Sequence, residues 1–213
     1  MVQTVNFQQT NLVGDAFTAV DFFNTWAIDE IIILDVSPDF KKRPLYYETI
    51  KEISRRCFVP LTVGGKISTI DEIRTILKIG ADKITINTQA VKKPEFITEA
   101  ANAFGSQCIV VSIDVRASDQ ENYEVYIENG KTKTGLSPFV WAEEVEKRGA
   151  GEIFLTSIDR DGKRNGYDLK LIKGVVKLVS ISVVASGGVG DWQHLVDGVK
   201  IAGADAVSAA NIF

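Results

Sequence analysis

The residues of this chain that could act on a substrate stand mostly where apolar runs stop. The run CIVVSID ends in Asp114. A carboxylate at such a strand end can serve as general acid or base once burial tunes its pKa. A capping or ion-paired aspartate is the plainer alternative. The stretch LTVGGKIS, from Leu61 to Ser68, and the stretch VVASGGVG, from Val183 to Gly190, each end an apolar run in two glycines before a helical pattern. Glycine lets backbone N–H groups approach an anion, and a helix N-terminus favours negative charge. Gly64 and Gly65, with Gly187 and Gly188, could therefore hold two phosphates of one elongated substrate, or merely make tight turns. Asp161 and Gly162 lie in SIDRDGKRNGYD, a loop dense in turn residues where an Asx-type turn is the alternative role. Asp35, Thr62, Asn87, Thr88, Thr156, Ser157, Ser186, Ala210 and Asn211 complete a small, polar set at run ends. Glu30, Lys83 and Glu152 begin their runs, so they should gather at the opposite face, if only as an ion-pair ring.

Behind these residues, short apolar runs alternate with amphipathic stretches down the whole chain. Strands are expected at 30–35, 59–63, 83–87, 108–114, 152–157, 181–186 and 205–210. Helices are expected near 16–27, 44–56, 70–79, 94–103, 138–149, 168–179 and 192–202. Continuous Ile/Val/Leu runs suit a parallel sheet covered on both faces. The polar excursion YEVYIENGKTKTG reads as a hairpin turning at Asn129–Gly130, and the first residues read as a loop feeding a helix. The GG pairs recur at an offset of 123 residues, from Gly64 to Gly187, and GAD at Gly80 recurs at Gly203 with the same offset and no gap. DEIIIL at Asp29 resembles GEIFLT at Gly151, an offset of 122. A duplicated βαβα unit predicts an α/β fold, a (β/α)8 TIM barrel of two half-barrels, in which a site forms at the C-terminal strand ends. A doubly wound sheet would want a G-x-G-x-x-G turn, which is absent. Seven strands and seven helices are found. The barrel is thus expected as one domain over 1–213, incomplete, lacking its first strand and last helix.

The chain has 213 residues, 45% of them hydrophobic, with a net charge of -4, which argues against a nucleic-acid binder. No apolar run approaches the ~20 residues of a membrane span, and no signal peptide is visible. The lone His194 and the absence of ligand spacing argue against a metal site, and no cofactor is expected. Cys57 and Cys108 read as buried, reduced thiols of a cytoplasmic protein. His194 and Trp192 fall in a helix's first turn and read as exposed and non-catalytic.

The strings VGG, GADKITINTQAV, FGSQCIVVSID, VEKRGAGEIFLTSIDRDG, GYDLKLI, ASGGVG and AGADAVSAANIF resemble the cyclase subunit of imidazole glycerol phosphate synthase through nearly the whole chain. The TSIDRDG and GYD signature separates that family from its sister, the phosphoribosyl isomerase of histidine biosynthesis, which shares the half-barrel repeat. The resemblance implies a barrel that receives ammonia from a glutaminase subunit at its bottom. At the top it would turn a bis-phosphorylated aminoimidazole ribonucleotide into imidazole glycerol phosphate and an aminoimidazole carboxamide ribotide. Carried over by position, Asp114 matches one of two catalytic aspartates, and Gly65, Asn87 and Thr88 match one phosphate site. Asp161, Gly162, Ser186, Gly187, Gly188 and Ala210 surround the other. Glu30, Lys83 and Glu152 match the charged ammonia gate, and Asp82 matches a docking residue for the glutaminase.

The departures point elsewhere. The second catalytic aspartate and the gate arginine would lie on the strand not found. Gln3 stands for a lysine on a mobile loop, Lys66 for the third glycine of GGG, Lys163 for a threonine and Asn211 for a serine. QTVNFQQTNLVGDAF looks more like a paralogous branch found beside surface-polysaccharide genes. That likeness implies an ammonia-channelling barrel serving the amidation of a nucleotide-linked sugar.

Overall fold

A computed structural model describes residues 1–26, 28–37, 43–118 and 122–210. The chain opens with an antiparallel hairpin, β1 (Val2–Val5) and β2 (Gln8–Leu12). Then come α1 (Ala16–Thr25), β3 (Ile31–Leu34), α2 (Arg43–Arg56), β4 (Leu61–Gly64), α3 (Ile70–Lys78), β5 (Lys83–Ile86), the single turn α4 (Thr88–Lys92) and α5 (Glu95–Phe104). β6 (Ile109–Ala117) leads into a second hairpin, β7 (Tyr123–Ile127) and β8 (Thr132–Lys133). The chain continues through α6 (Pro138–Lys147), β9 (Glu152–Ser157), α7 (Leu169–Val176), β10 (Ser182–Ser186), α8 (Trp192–Lys200) and β11 (Ala206–Val207).

Local sequence explains the elements. β3 and β6 are rich in β-branched residues, and their alternate residues, like those of β9, meet two different apolar layers. α3 begins with a capping box, in which Thr69 Oγ1 accepts from Glu72 N and the Glu72 carboxylate accepts from Thr69 N. Its Ile73 and Ile76 then fall on one buried face. Each fully buried isoleucine of this outer layer contributes roughly 1.5–3 kcal/mol. Among the described residues no helix is long and apolar enough to cross a membrane.

Seven parallel strands run in the order β3-β4-β5-β6-β9-β10-β11, with β7 and β8 carried antiparallel on the upper end of β6. The sheet is curled. Lys83 on β5 reaches both Glu30, just before β3, and Glu152 on β9, although β4 and β6 lie between them in the sheet. Val110, Phe154 and Val184, with Ile32 against them, plug the concave interior. The helices and the convex face share the larger core. The fold is thus α/β and of the (β/α)8 kind, with seven parallel strands among the described residues. β3 and β11 each have a single partner strand there. Across these two flanks Trp26, capping α1, stacks on Trp192 of α8, with ring centroids 6.4 Å apart and planes 6° from parallel.

The duplication is visible in hydrogen bonds. Leu61 N donates to the Asp82 carboxylate and Asp82 N to Leu61 O. Val183 N and Asp205 repeat both bonds. Strand register, however, sets Ile31 beside Leu61 and Ile153 beside Val183, an offset of 122. Gly65 therefore corresponds to Gly187, not to Gly188, and Lys66 corresponds to Gly188. The offset becomes 123 only at Gly80 and Gly203, so one extra residue enters at the end of α8, and the repeat is not free of gaps. The hairpins join the repeat too: Asn6 and Phe7, and Glu128 and Asn129 after 122 residues, are all left-handed.

Two further expectations needed correction. The opening loop is a hairpin with a two-residue turn, Asn6–Phe7. Such a turn usually carries glycine, and a phenylalanine there hides it. The last strand shrinks from 205–210 to Ala206–Val207, the stretch that pairs with β10, its one partner strand among the described residues.

Candidate functional site at the C-terminal ends of the strands

Asp114, Asn87 and Ser112 converge at the upper end of the sheet. β6 alternates, so Val110, Ser112 and Asp114 all face the interior. Ser112 Oγ donates to Asp114 Oδ1 at 2.9 Å. Asn87 Nδ2, one residue past β5, donates to Asp114 Oδ2 at 3.0 Å and to Ser112 O at 3.1 Å. Asp114 is only 8% exposed. Burial pushes its carboxyl up to about 7, against the Ser112 hydrogen bond and with help from the charge of Asp161. Such a group exchanges a proton near neutrality. Thr156 on β9 is its register neighbour.

The glycine turns flank this centre. Gly65 (φ 98°) and Gly187 (φ 92°) each press on the backbone of the preceding strand's end, at Asp35 and Ser157, so a Cβ would collide in both halves. Gly188 (φ 108°) packs on Gly166, whose N–H donates to Gly188 O at 2.7 Å. The Gly65 turn is held from outside: Arg43 Nη1 donates to Gly65 O at 2.8 Å and the Tyr46 hydroxyl to Gly64 O at 2.7 Å. Lys66 keeps the left-handed backbone of its counterpart glycine (φ 57°) and sends its ammonium to Ser37 Oγ at 3.0 Å, beside the Asp35 carboxylate. Burial works against the Asp35 charge, yet Ser37, Lys66 and Arg43 hold its carboxyl below the usual range. Thr88 starts α4, and its hydroxyl accepts from Glu128 N, tying that turn to the second hairpin.

The first hairpin lies across the loop after β9. Thr4 Oγ1 donates to Asp161 Oδ2 at 2.6 Å, Phe7 N donates to the same oxygen at 3.2 Å, and Asn6 N donates to Asp161 O. Gly162 (φ 72°) sits under Thr4 with no room for a Cβ, and Phe7 packs against Gly130 of the other hairpin. Ser186 is half-buried beside Thr156, and Ala210 is exposed past β11. Asn211 lies outside the described residues.

At the opposite end, Lys83 Nζ donates to Glu30 Oε2 at 2.7 Å and to Glu152 Oε2 at 2.9 Å. Burial pulls the ammonium down, but the two carboxylates outweigh it and leave it above the lysine range. Burial pushes the Glu152 carboxyl up despite Lys83, and among the described residues its Oε1 is buried without a hydrogen-bond partner. Thr62, expected at the upper face, belongs down here, since its hydroxyl donates to Glu30. Asp82 is engaged in the fold itself, accepting from Leu61 N at 2.8 Å.

Sequence reasoning overlooked Ser112, although its place two residues before Asp114 on an alternating strand announces it. Thr4 gave no local signal, being 157 positions from its partner Asp161. His194 is half-buried, not exposed. Its Nδ1 accepts from Gly190 N at 3.1 Å, the capping task that Glu72 performs in the first half. Cys57 and Cys108 are free but only half-buried.

One comparison with known proteins bears on this geometry. Residues 1–213 match the family described as Histidine biosynthesis protein. The match extends over the duplicated strands, both glycine turns, Asp114 and the charged floor alike. The chain belongs to the histidine biosynthesis protein family, as an enzyme of its isomerase-or-cyclase type.

Proposed function

We propose that this chain is the synthase barrel of a glutaminase-coupled cyclase, using glutamine-derived ammonia to close the imidazole ring of imidazole glycerol phosphate. One observation carries the reading: Lys83 held between Glu30 and Glu152 lines one end of the sheet whose other end holds Asp114. A gate for a small base and a proton-transfer carboxylate at opposite ends suit a reaction fed from below. In this reading Gly65 and Thr88, beside Asn87, receive one phosphate, and Gly162, Ser186, Gly187, Gly188 and Ala210 receive the other. Asp114 moves a proton during ring closure. Asp82 lies on the face toward the glutaminase. The enzyme works in the cytoplasm.

The test is turnover of the bis-phosphorylated aminoimidazole ribonucleotide with ammonium chloride, and with glutamine plus the glutaminase subunit. Product from both supports the cyclase, and product from neither rejects it. A second reading, ammonia delivery to a separate sugar-amidating enzyme, is favoured by two contacts. Asp161 is engaged by the first hairpin, and Lys66 is folded onto Asp35. Glutamine hydrolysis stimulated by this chain without ribonucleotide turnover would support it.

A further inference from the structure

We propose that Ser112 is a positioning residue that holds Asp114 ready in both of its protonation states, an inference that rests on reading Asp114 as the acid–base group. The two carboxyl oxygens meet chemically different neighbours. Oδ2 faces the Asn87 amide nitrogen, which can only donate. Oδ1 faces the Ser112 hydroxyl, which donates to an ionised carboxylate and accepts from a protonated one by turning its O–H. The proton therefore belongs on Oδ1, and the carboxyl need not rotate when it gains or loses that proton. Asn87 closes the arrangement by donating also to Ser112 O, so the strand that carries both residues is pinned at the same place. Both side chains sit out of water, Ser112 at 9% and Asp114 at 8% exposure. A hydrogen bond to a charged oxygen is strong there, and losing it is costly.

The other groups facing Asp114 are named by the topology. Tyr126 of β7 is its register partner and lies under the Arg116 guanidinium. Thr156 faces it from β9, and Asp161 follows in the next loop. Asp161 is the charged group whose field reaches it, and Ser112 supplies the opposing hydrogen bond.

The experiment is a carboxyl titration by carbon-13 NMR on chain labelled at the aspartate side-chain carbon, with Asp114→Asn assigning the signal. The native signal should titrate near neutrality. Ser112→Ala should move it upward by about one unit, a tenfold rise in proton affinity. Ser112→Thr, which keeps the hydroxyl, should restore it. The limb of the kcat profile that reports Asp114 should move with it. A titration that is the same in Ser112→Ala as in the native chain, or that moves in Ser112→Thr as much as in Ser112→Ala, overturns the proposal. A shifted titration without ribonucleotide turnover in the native chain upholds the positioning role and rejects the cyclase. Turnover with an unshifted titration does the reverse.

Discussion

Asp114 binds its proton more tightly in the folded chain than in the unfolded one, where a carboxyl titrates near 3.8. Its contribution is therefore fully present below that value and is lost as pH rises toward 7. Asp114→Asn should stabilise the protein at pH 8 by up to about 4 kcal/mol and far less at pH 4, as urea titrations at the two values would measure. A pH-independent difference would mean that the carboxyl is not buried as described. At this scale the chemistry was readable where strand alternation fixed direction. Asp114, Glu30, Lys83 and Glu152 all face the way their run positions predicted. Thr62 was not, because β4 begins two residues later than expected, at Leu61, which moves Thr62 from the end of the strand toward its start. The likeness places Asn87 at a phosphate site, and its amide donates to Asp114, a contact that strand alternation alone does not announce.

The glycine turns behave as elements, each fixed by the strand beside it. Gly65→Ala and Gly187→Ala should each cost about 2–4 kcal/mol, since a Cβ would meet backbone and the left-handed conformation adds about 1 kcal/mol. Gly14→Ala, with open space around it, should cost about 1 kcal/mol. Similar losses at 65 and 187 would support the register that pairs them; a large loss at 188 with none at 187 would not. The first hairpin is tethered by Asp161 more than by its own sequence. Asp161→Ala should raise hydrogen exchange at Thr4, Asn6 and Phe7 by at least tenfold while leaving β6 protected. Helices and buried strands were legible because their apolar period is set by one face each. The hairpin was not, since QQTN carries no alternation and its turn lacks glycine.

Across the molecule, the charged floor links strands that are distant in the sheet. Lys83→Met leaves two carboxylates facing each other without their cation. The partly exposed site limits the cost to about 1–2 kcal/mol, smaller at pH 5 than at pH 8 as Glu152 takes up a proton. Under the cyclase reading, glutamine-dependent turnover should fall at least tenfold in this variant while ammonium-dependent turnover falls less than threefold. Equal losses would remove the gate role. Among the described residues the flanks of the sheet, β3 and β11, each pair on one side, and such edges recruit other chains. Sedimentation velocity should show association that grows with concentration; a constant monomer across a hundredfold range would contradict it. The duplication made this architecture readable before any coordinate, but the one-residue insertion after α8 could be placed only from strand pairing.

The indole pair at those flanks is also an optical device. Two indoles stacked a few ångströms apart couple their strong excited states, so Trp26 and Trp192 should add an exciton couplet to the far-ultraviolet circular dichroism. Trp141, buried on α6, lies outside this pair and serves as a reference within the same chain. Because one partner rides with α1 and the other with α8, the couplet reads the curvature of the whole sheet. It should vanish when the flanks spread, before any helix melts.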